Sequence, residues 1–90
     1  MKIREHTPTG IRLGRSNTFH KSAPGKVVVR WADGSNGEAY IRDLEIQLNS
    51  LQWVDFRQAL TAREIVKDYT GQYFREAQNP SERAEGLYYA

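Results

Sequence analysis

The sequence predicts a small, mainly β domain with a helical C-terminal part, a fold of the α+β class. Apolar and polar residues alternate along two segments that a glycine-rich turn joins, between Lys26 and Leu48. A helical spacing of apolar residues appears only after Thr61. We therefore expect a barrel of four to five short antiparallel strands over residues 10–56, then an amphipathic helix over 61–77, a short helix over 79–86 and a tail over 87–90.

The first predicted strand lies between Gly10 and Gly14, where apolar and polar residues alternate. The segment from Arg15 to Gly25 is rich in Ser, Asn, Lys, Pro and Gly around a lone Phe19, which is typical of a long loop with a few extended residues near that ring.

The central hairpin carries the clearest pattern. Val27, Val29 and Trp31 fall on one strand face, so we assign all three to the core. Asp-Gly and Asn-Gly pairs between Asp33 and Gly37 supply the positive-φ positions of a reversal. The return strand carries Ala39 and Ile41 on one face and Tyr40 and Arg42 on the other. A tight turn at 43–45 leads into further alternation through 48.

The last third is predicted to be helical. Residues 51–56 are ambiguous between a last strand and a helical turn, and we favour a strand; Trp53 and Phe56 are expected to cover the barrel bottom or the helix. Thr61 and Glu64 have the spacing of a capping box. Apolar residues then recur at helical spacing as far as Ala77, and a second start signal at 79–82 precedes a stop at 86.

Length and composition exclude several classes of protein. Ninety residues allow one domain, 1–90, with a thin core. No apolar run approaches the roughly 20 residues of a membrane span, and residues 1–6 lack the apolar core of a secretory signal. The chain has no cysteine, and hence no disulfide or thiolate metal site. We expect a cytoplasmic protein without a membrane partner.

The hairpin resembles a known type of module. KVVVRWADG (26–34) and AYIRDLE (39–45) are similar to the central hairpin of SH3-like barrels of the Tudor, chromo and KOW type. The resemblance covers about residues 10–48, and it implies that a ligand meets aromatic and basic residues on the loops at one end of the barrel. A Tudor-like cage for a methylated cation needs three or four aromatic residues in one pocket. Phe19, Trp31 and Tyr40 are the candidates, although Trp31 is better suited to the core.

Charge is distributed unevenly along the chain. Residues 1–30 carry seven basic groups and one acid, a balance of +6, whereas residues 31–90 carry six basic groups and ten acids, a balance of −4. A basic end favours a polyanion or an acidic protein surface as partner. The alternative is that these charges only keep the protein soluble and are distributed unevenly by chance in a short chain.

Catalytic signatures are missing from the sequence. His6 and His20 have no second metal ligand at a suitable spacing. No Gly-x-Ser-x-Gly elbow occurs, and no glycine-rich loop leads into a helix. We expect a protein that is not an enzyme and has no cofactor and no metal.

The sequence thus predicts a non-catalytic regulatory binding module. Our first hypothesis is that its basic N-terminal half binds DNA or RNA by neutralising phosphates, with stacking on loop rings. The residues that we expect to carry this are Arg12, Arg15, Phe19, His20, Lys21, Lys26, Arg30 and Arg42. The alternative is a protein-interaction or inhibitor module that docks on a larger enzyme or complex through loop, helix or tail aromatics, among them Tyr40, Tyr88 and Tyr89.

Overall fold

A computed structural model describes residues 1–78, and this part of the chain is mainly β. The predicted helix over 79–86 and the tail with Tyr88 and Tyr89 lie outside the described residues. Six strands form the main sheet: β1 (Lys2–Thr7), β2 (Gly10–Phe19), β3 (Lys26–Trp31), β4 (Asn36–Tyr40), β5 (Leu44–Gln47) and β6 (Trp53–Asp55). The remaining elements are a 3₁₀ turn (Ile41–Asp43), helix α1 (Phe56–Thr61) and strands β7 (Ile65–Lys67) and β8 (Phe74–Glu76).

The main sheet is antiparallel, with the strand order β4-β3-β2-β1-β5-β6. The first strand lies in its interior, paired with β2 on one side and β5 on the other. β7 and β8 form a separate two-stranded sheet, which reaches the main sheet through a bridge between Tyr73 and Thr18. The N-terminal segment therefore lies in the middle of the fold.

One face of the main sheet forms the core, and we call it the inner face. The prediction for β3 is confirmed, because Val27, Val29 and Trp31 are all buried. Two glycines make room for the indole and its neighbours. A Cβ atom at Gly14 would lie 2.7 Å from Val29 Cγ1, and one at Gly37 would lie 2.9 Å from Trp31 Nε1. Inner-face residues of β1, β4 and β5 complete this layer of the core: Ile3, Ala39, Leu44 and Ile46.

Two strands differ from the prediction. β2 continues through Phe19, with a register shift between Arg15 and Thr18, so nearly half of the predicted loop, residues 15–19, is strand. The shift is a β-bulge, which an irregular polar segment can hide from a search for alternation. β1 was not predicted, because Ile3 is its single buried residue and its other side chains are polar.

The predicted amphipathic helix over 61–77 is wrong. Thr61 ends α1 instead of starting a helix, and its hydroxyl donates to the carbonyl oxygen of Arg57. The side chain that caps α1 belongs to Asp55, which accepts a hydrogen bond from the Gln58 N–H at 2.9 Å. The favoured strand over 51–56 is confirmed for β6, although Phe56 already belongs to the helix.

Packing explains why β7 and β8 replace that helix. Phe74 lies 5.1 Å from the Phe56 ring and 4.9 Å from the Phe19 ring, centroid to centroid. It is buried together with Ile65. A hairpin brings Ile65 and Phe74 to the core at once and leaves Tyr69 in solvent, whereas a helix would have buried Tyr69 on its apolar stripe. Within residues 1–78, no helix has the length and apolar character needed to cross a bilayer.

Candidate nucleic-acid interface

Strand register places three cations side by side on the outer face of the main sheet. Lys2 of β1 pairs with Arg15 of β2, and Arg15 pairs with Arg30 of β3. Directly paired residues share a sheet face, with Cβ atoms about 5 Å apart. The next residues on these strands, Ile3 and Trp31 among them, point inward to the core. We call Lys2, Arg15 and Arg30 the basic row.

The basic row carries positive charge that nearby acids do not neutralise. All three side chains are exposed, and within residues 1–78 none of them forms an ion pair. Like charges directly opposite one another destabilise a sheet. The Met1 amino group lies close by and donates to the Ser16 carbonyl oxygen at 2.8 Å. Burial lowers the pKa of this amino group, and the charge of Arg15 lowers it further.

A groove of about 530 Å³ lies over the basic row. Besides the three cations, the residues that line it include Leu13, Gln47 and Trp53. Trp53 of β6 pairs with Gln47 of β5, and the β1–β5 register sets Gln47 opposite Lys2, so the indole lies in line with the row. Leu13 is 52% exposed. The groove therefore combines positive charge with apolar and aromatic surface.

A second set of contacts holds Trp53 in place. The guanidinium carbon of Arg4 lies 4.4 Å from the centre of the Trp53 ring. Arg4 Nε in turn donates to Glu45 Oε1 at 2.9 Å, and His6 contacts the same carboxylate oxygen. The hydrogen bond from Arg4, and then the one from His6, lower the pKa of Glu45. Arg4 thus covers one face of the indole and is itself fixed by a carboxylate.

Three other predicted residues, Arg12, Lys26 and His20, lie outside the row and already have partners. Arg12 covers the ring of Trp31, 4.0 Å from its centre, and lies 3.9 Å from Asp33. Lys26 and His20 both contact Glu38, at 2.7 and 2.9 Å. The Lys26 hydrogen bond lowers the pKa of Glu38 and raises that of Lys26. Because these side chains already pair with carboxylates, less of their positive charge is available to bind an anion.

The aromatic candidates are also engaged. Tyr40 is 41% exposed, but Arg42 lies 4.3 Å and Lys26 4.7 Å from its ring centre. Phe19 is half-buried against Phe74, so its ring is part of the packing and is not an open stacking surface. Lys21 is exposed in the loop between β2 and β3.

Of the eight predicted nucleic-acid residues, two belong to the basic row, Arg15 and Arg30, whereas His20, Lys26 and Arg42 gather around Glu38 and Tyr40. Lys2 and Trp53 were not among the predicted site residues, because Lys2 was counted only as charge and Trp53 was expected to cover the barrel bottom or the helix. The alternation of Lys2, Ile3 and Arg4 was the available signal, because it places both cations on one strand face.

No group of three or more potential metal-ligating side chains occurs among residues 1–78. When the chain was compared with protein-family models, curated proteins and solved structures, none of them matched. The geometry of the basic row and its groove is thus the basis for a functional proposal.

Proposed function

We propose that this protein is a non-catalytic regulatory binding module that binds nucleic acid through the basic row. The observation that carries the proposal is the alignment of Lys2, Arg15 and Arg30 across three adjacent strands, in a groove and without acidic partners within residues 1–78. Evenly spaced cations suit a ligand with repeated negative charge. Phosphates along a nucleic-acid backbone have this property.

We also propose that the sheet is an SH3-like barrel. Five successive strands, β1 to β5, surround one core, and the first of them pairs with the last. A 3₁₀ turn at Ile41–Asp43 links β4 to β5. This arrangement supports the resemblance of the central hairpin to such modules, in which binding surfaces form on a small and rigid scaffold.

Three phosphate contacts make a quantitative expectation possible. Each cation that neutralises a phosphate releases counterions, so three contacts give a slope of log K against log salt of about −2.1 for a single strand and about −2.7 for B-DNA. Affinity should then fall about 20- to 40-fold between 50 and 200 mM salt. A partner held mainly by apolar contacts would show a much flatter dependence.

The test is a binding titration of labelled DNA and RNA by fluorescence anisotropy at several salt concentrations. In Arg15→Glu and Arg30→Glu we expect weaker binding and a salt slope reduced by about 1 for each cation lost. Arg57→Glu is the matched control, because Arg57 is an exposed cation on α1 and does not line the groove. It should bind as the wild type does.

Two results would contradict the proposal. Wild-type protein that retains neither DNA nor RNA at low salt excludes nucleic acid as the ligand. If Arg57→Glu and Arg15→Glu lost the same amount of affinity, overall charge and not the basic row would determine binding.

Protein docking is a second candidate function, favoured by one side chain. Tyr69 is 100% exposed, at a turn that Asp68 holds by accepting from the Thr70 hydroxyl at 2.7 Å. An exposed tyrosine on a hydrogen-bonded turn is a residue type that is enriched at protein interfaces. Pull-down with and without nuclease separates the two functions. A protein complex that resists nuclease and is lost in Tyr69→Ala, but not in Arg15→Glu, would favour docking.

A further inference from the structure

We infer that the ligand of the groove is single-stranded nucleic acid, with one unpaired base stacked on Trp53 beside the basic row. This inference rests on the function proposed above and specifies the form of the nucleic acid. Its starting point is the juxtaposition of an indole and three cations in the same groove.

A ligand that stacks on Trp53 has to use the ring face that Arg4 does not cover. Arg4 lies over the indole, and a cation at that distance occupies one of its two faces. Lys2 and Arg4 are alternate residues of β1, so they lie on the same sheet face about 7 Å apart along the strand. Trp53 contacts Arg4 and also lines the groove beside Lys2. Trp53, which is half-buried, therefore lies between Arg4 and the basic row, and we place the base on the ring face that Arg4 does not cover.

The supports of Trp53 also keep it in position before a ligand arrives. Arg4 is tied to Glu45 by a hydrogen bond of 2.9 Å, and Trp53 is held in β6 by its pairing with Gln47. An indole that is already ordered loses little side-chain freedom when a base stacks on it. The arrangement suits a stacking platform that exists in the free protein.

Base stacking requires an unpaired base. In a duplex both faces of each internal base are covered by its neighbours, so an indole has no ring to contact unless a base is unstacked. Readout of base sequence in the major groove of a duplex uses an inserted helix or two-stranded ribbon. Here the cations and the indole instead line a groove of about 530 Å³ on a sheet face, a size that suits bases and phosphates of one strand.

The groove wall favours bases over a purely inorganic polyanion. Leu13 and Ala32 line it together with Trp53, and these apolar surfaces offer nothing to phosphate oxygens. Polyphosphate would use the cations and leave this surface uncovered. A single strand would use both, with phosphates on the basic row and a base on the indole.

The experiment compares three ligands of the same length, about ten nucleotides, which lies within the usual site sizes of single-strand binders. They are a single strand, its duplex, and a single strand without bases. We expect wild-type protein to bind the single strand most tightly. The abasic strand should bind about 5- to 150-fold more weakly, the range that one lost stack implies, with an unchanged salt slope.

Variants of Trp53 provide the second arm. Trp53→Ala should bind the normal strand more weakly than the wild type does, by the same factor, and should bind the abasic strand with unchanged affinity. Its salt slope should equal that of the wild type. Trp53→Phe keeps a stacking ring and should retain most of the affinity. If Trp53→Ala does not fold, as judged by circular dichroism, the abasic strand still tests the inference on the wild-type protein.

The outcomes separate this inference from the function on which it rests. If the duplex binds as tightly as the single strand, or the abasic strand as tightly as the normal one, stacking on Trp53 is excluded while nucleic-acid binding stands. If none of the ligands binds at low salt, both proposals fail.

Discussion

At the scale of single residues, the contacts of Arg4 show how one side chain links stability to the site. Its guanidinium lies on the Trp53 ring and its Nε donates to Glu45. The carboxylate side chain is 27% exposed, so the ion pair is only partly protected from solvent. Such pairs contribute little energy by themselves. The more important consequence of this one is the fixed orientation of the indole.

The Glu45 contacts predict a pH-dependent stability. Because Arg4 and His6 lower the pKa of Glu45 in the folded state, its stabilising effect is present above the unfolded pKa of about 4.3 and is lost as the pH falls through the folded value. Glu45→Gln should therefore lower the free energy of unfolding at pH 7 by about 1 kcal/mol or less. Urea unfolding of both proteins between pH 2 and 7 measures the difference.

The difference between Glu45→Gln and the wild type should shrink as the solution is acidified. A difference that stays constant across the whole pH range would mean that the carboxylate charge is irrelevant. The substitution would then act through packing alone.

At the scale of elements, the β7–β8 hairpin shows tertiary contacts overriding a local signal. Residues 61–77 satisfy a helical spacing, but Phe74 and Ile65 fill space beside Phe56 that the main sheet leaves open. The connecting turn is stabilised locally, because Asp68 Oδ1 accepts from the Thr70 hydroxyl and from the Tyr73 N–H. These hydrogen bonds also lower the pKa of Asp68.

Gly71 distinguishes the hairpin from the helix by the sign of a stability change. Its φ is 72°, in the left-handed region, and nothing lies within 4 Å of an added Cβ. Gly71→Ala should therefore destabilise the protein by about 1 kcal/mol through backbone strain alone. In a helix the same change would stabilise it by about as much. Chemical denaturation of the variant measures the sign.

Asparagine is the matched control at this position. Asparagine tolerates left-handed φ better than alanine does, so Gly71→Asn should lower the free energy of unfolding by less than Gly71→Ala does. A stabilising Gly71→Ala would contradict the hairpin.

At the scale of the whole molecule, the basic residues that cluster in the first third of the chain also cluster on one surface of the fold. The first 30 residues carry a net charge of +6. The sheet order places β1, β2 and β3 side by side, so part of this charge lines up in one groove. The free protein holds these like charges together at an energetic cost, which a polyanion would relieve.

That cost predicts a trade-off between stability and binding. Arg15 is the central member of the basic row, with Lys2 on one side and Arg30 on the other. Arg15→Gln should raise the free energy of unfolding at low salt by a few tenths to about 1 kcal/mol. The gain should largely disappear near 1 M salt, where the screening length is about 3 Å. The same variant should bind nucleic acid more weakly than the wild type.

Thermal unfolding at low and high salt measures this trade-off, with Arg57→Gln as the control that leaves the row intact. An Arg15→Gln protein that is less stable than the wild type at low salt would contradict repulsion within the row.

Local alternation was sufficient to predict the inner face of β3 and the hairpin that follows it, because Val27, Val29 and Trp31 recur at the period of a strand. The basic charge of the first 30 residues, and not alternation, made Arg15 and Arg30 candidates. It did not reveal that Lys2 and Trp53 join them, since residues distant in the chain meet only through strand register. The hairpin at 65–76 likewise depended on space beside Phe56. The residue pattern alone was thus sufficient to identify the inward-pointing residues of β3. The tertiary structure decided which outward-pointing residues become neighbours, because burial of the inner faces sets the register between strands.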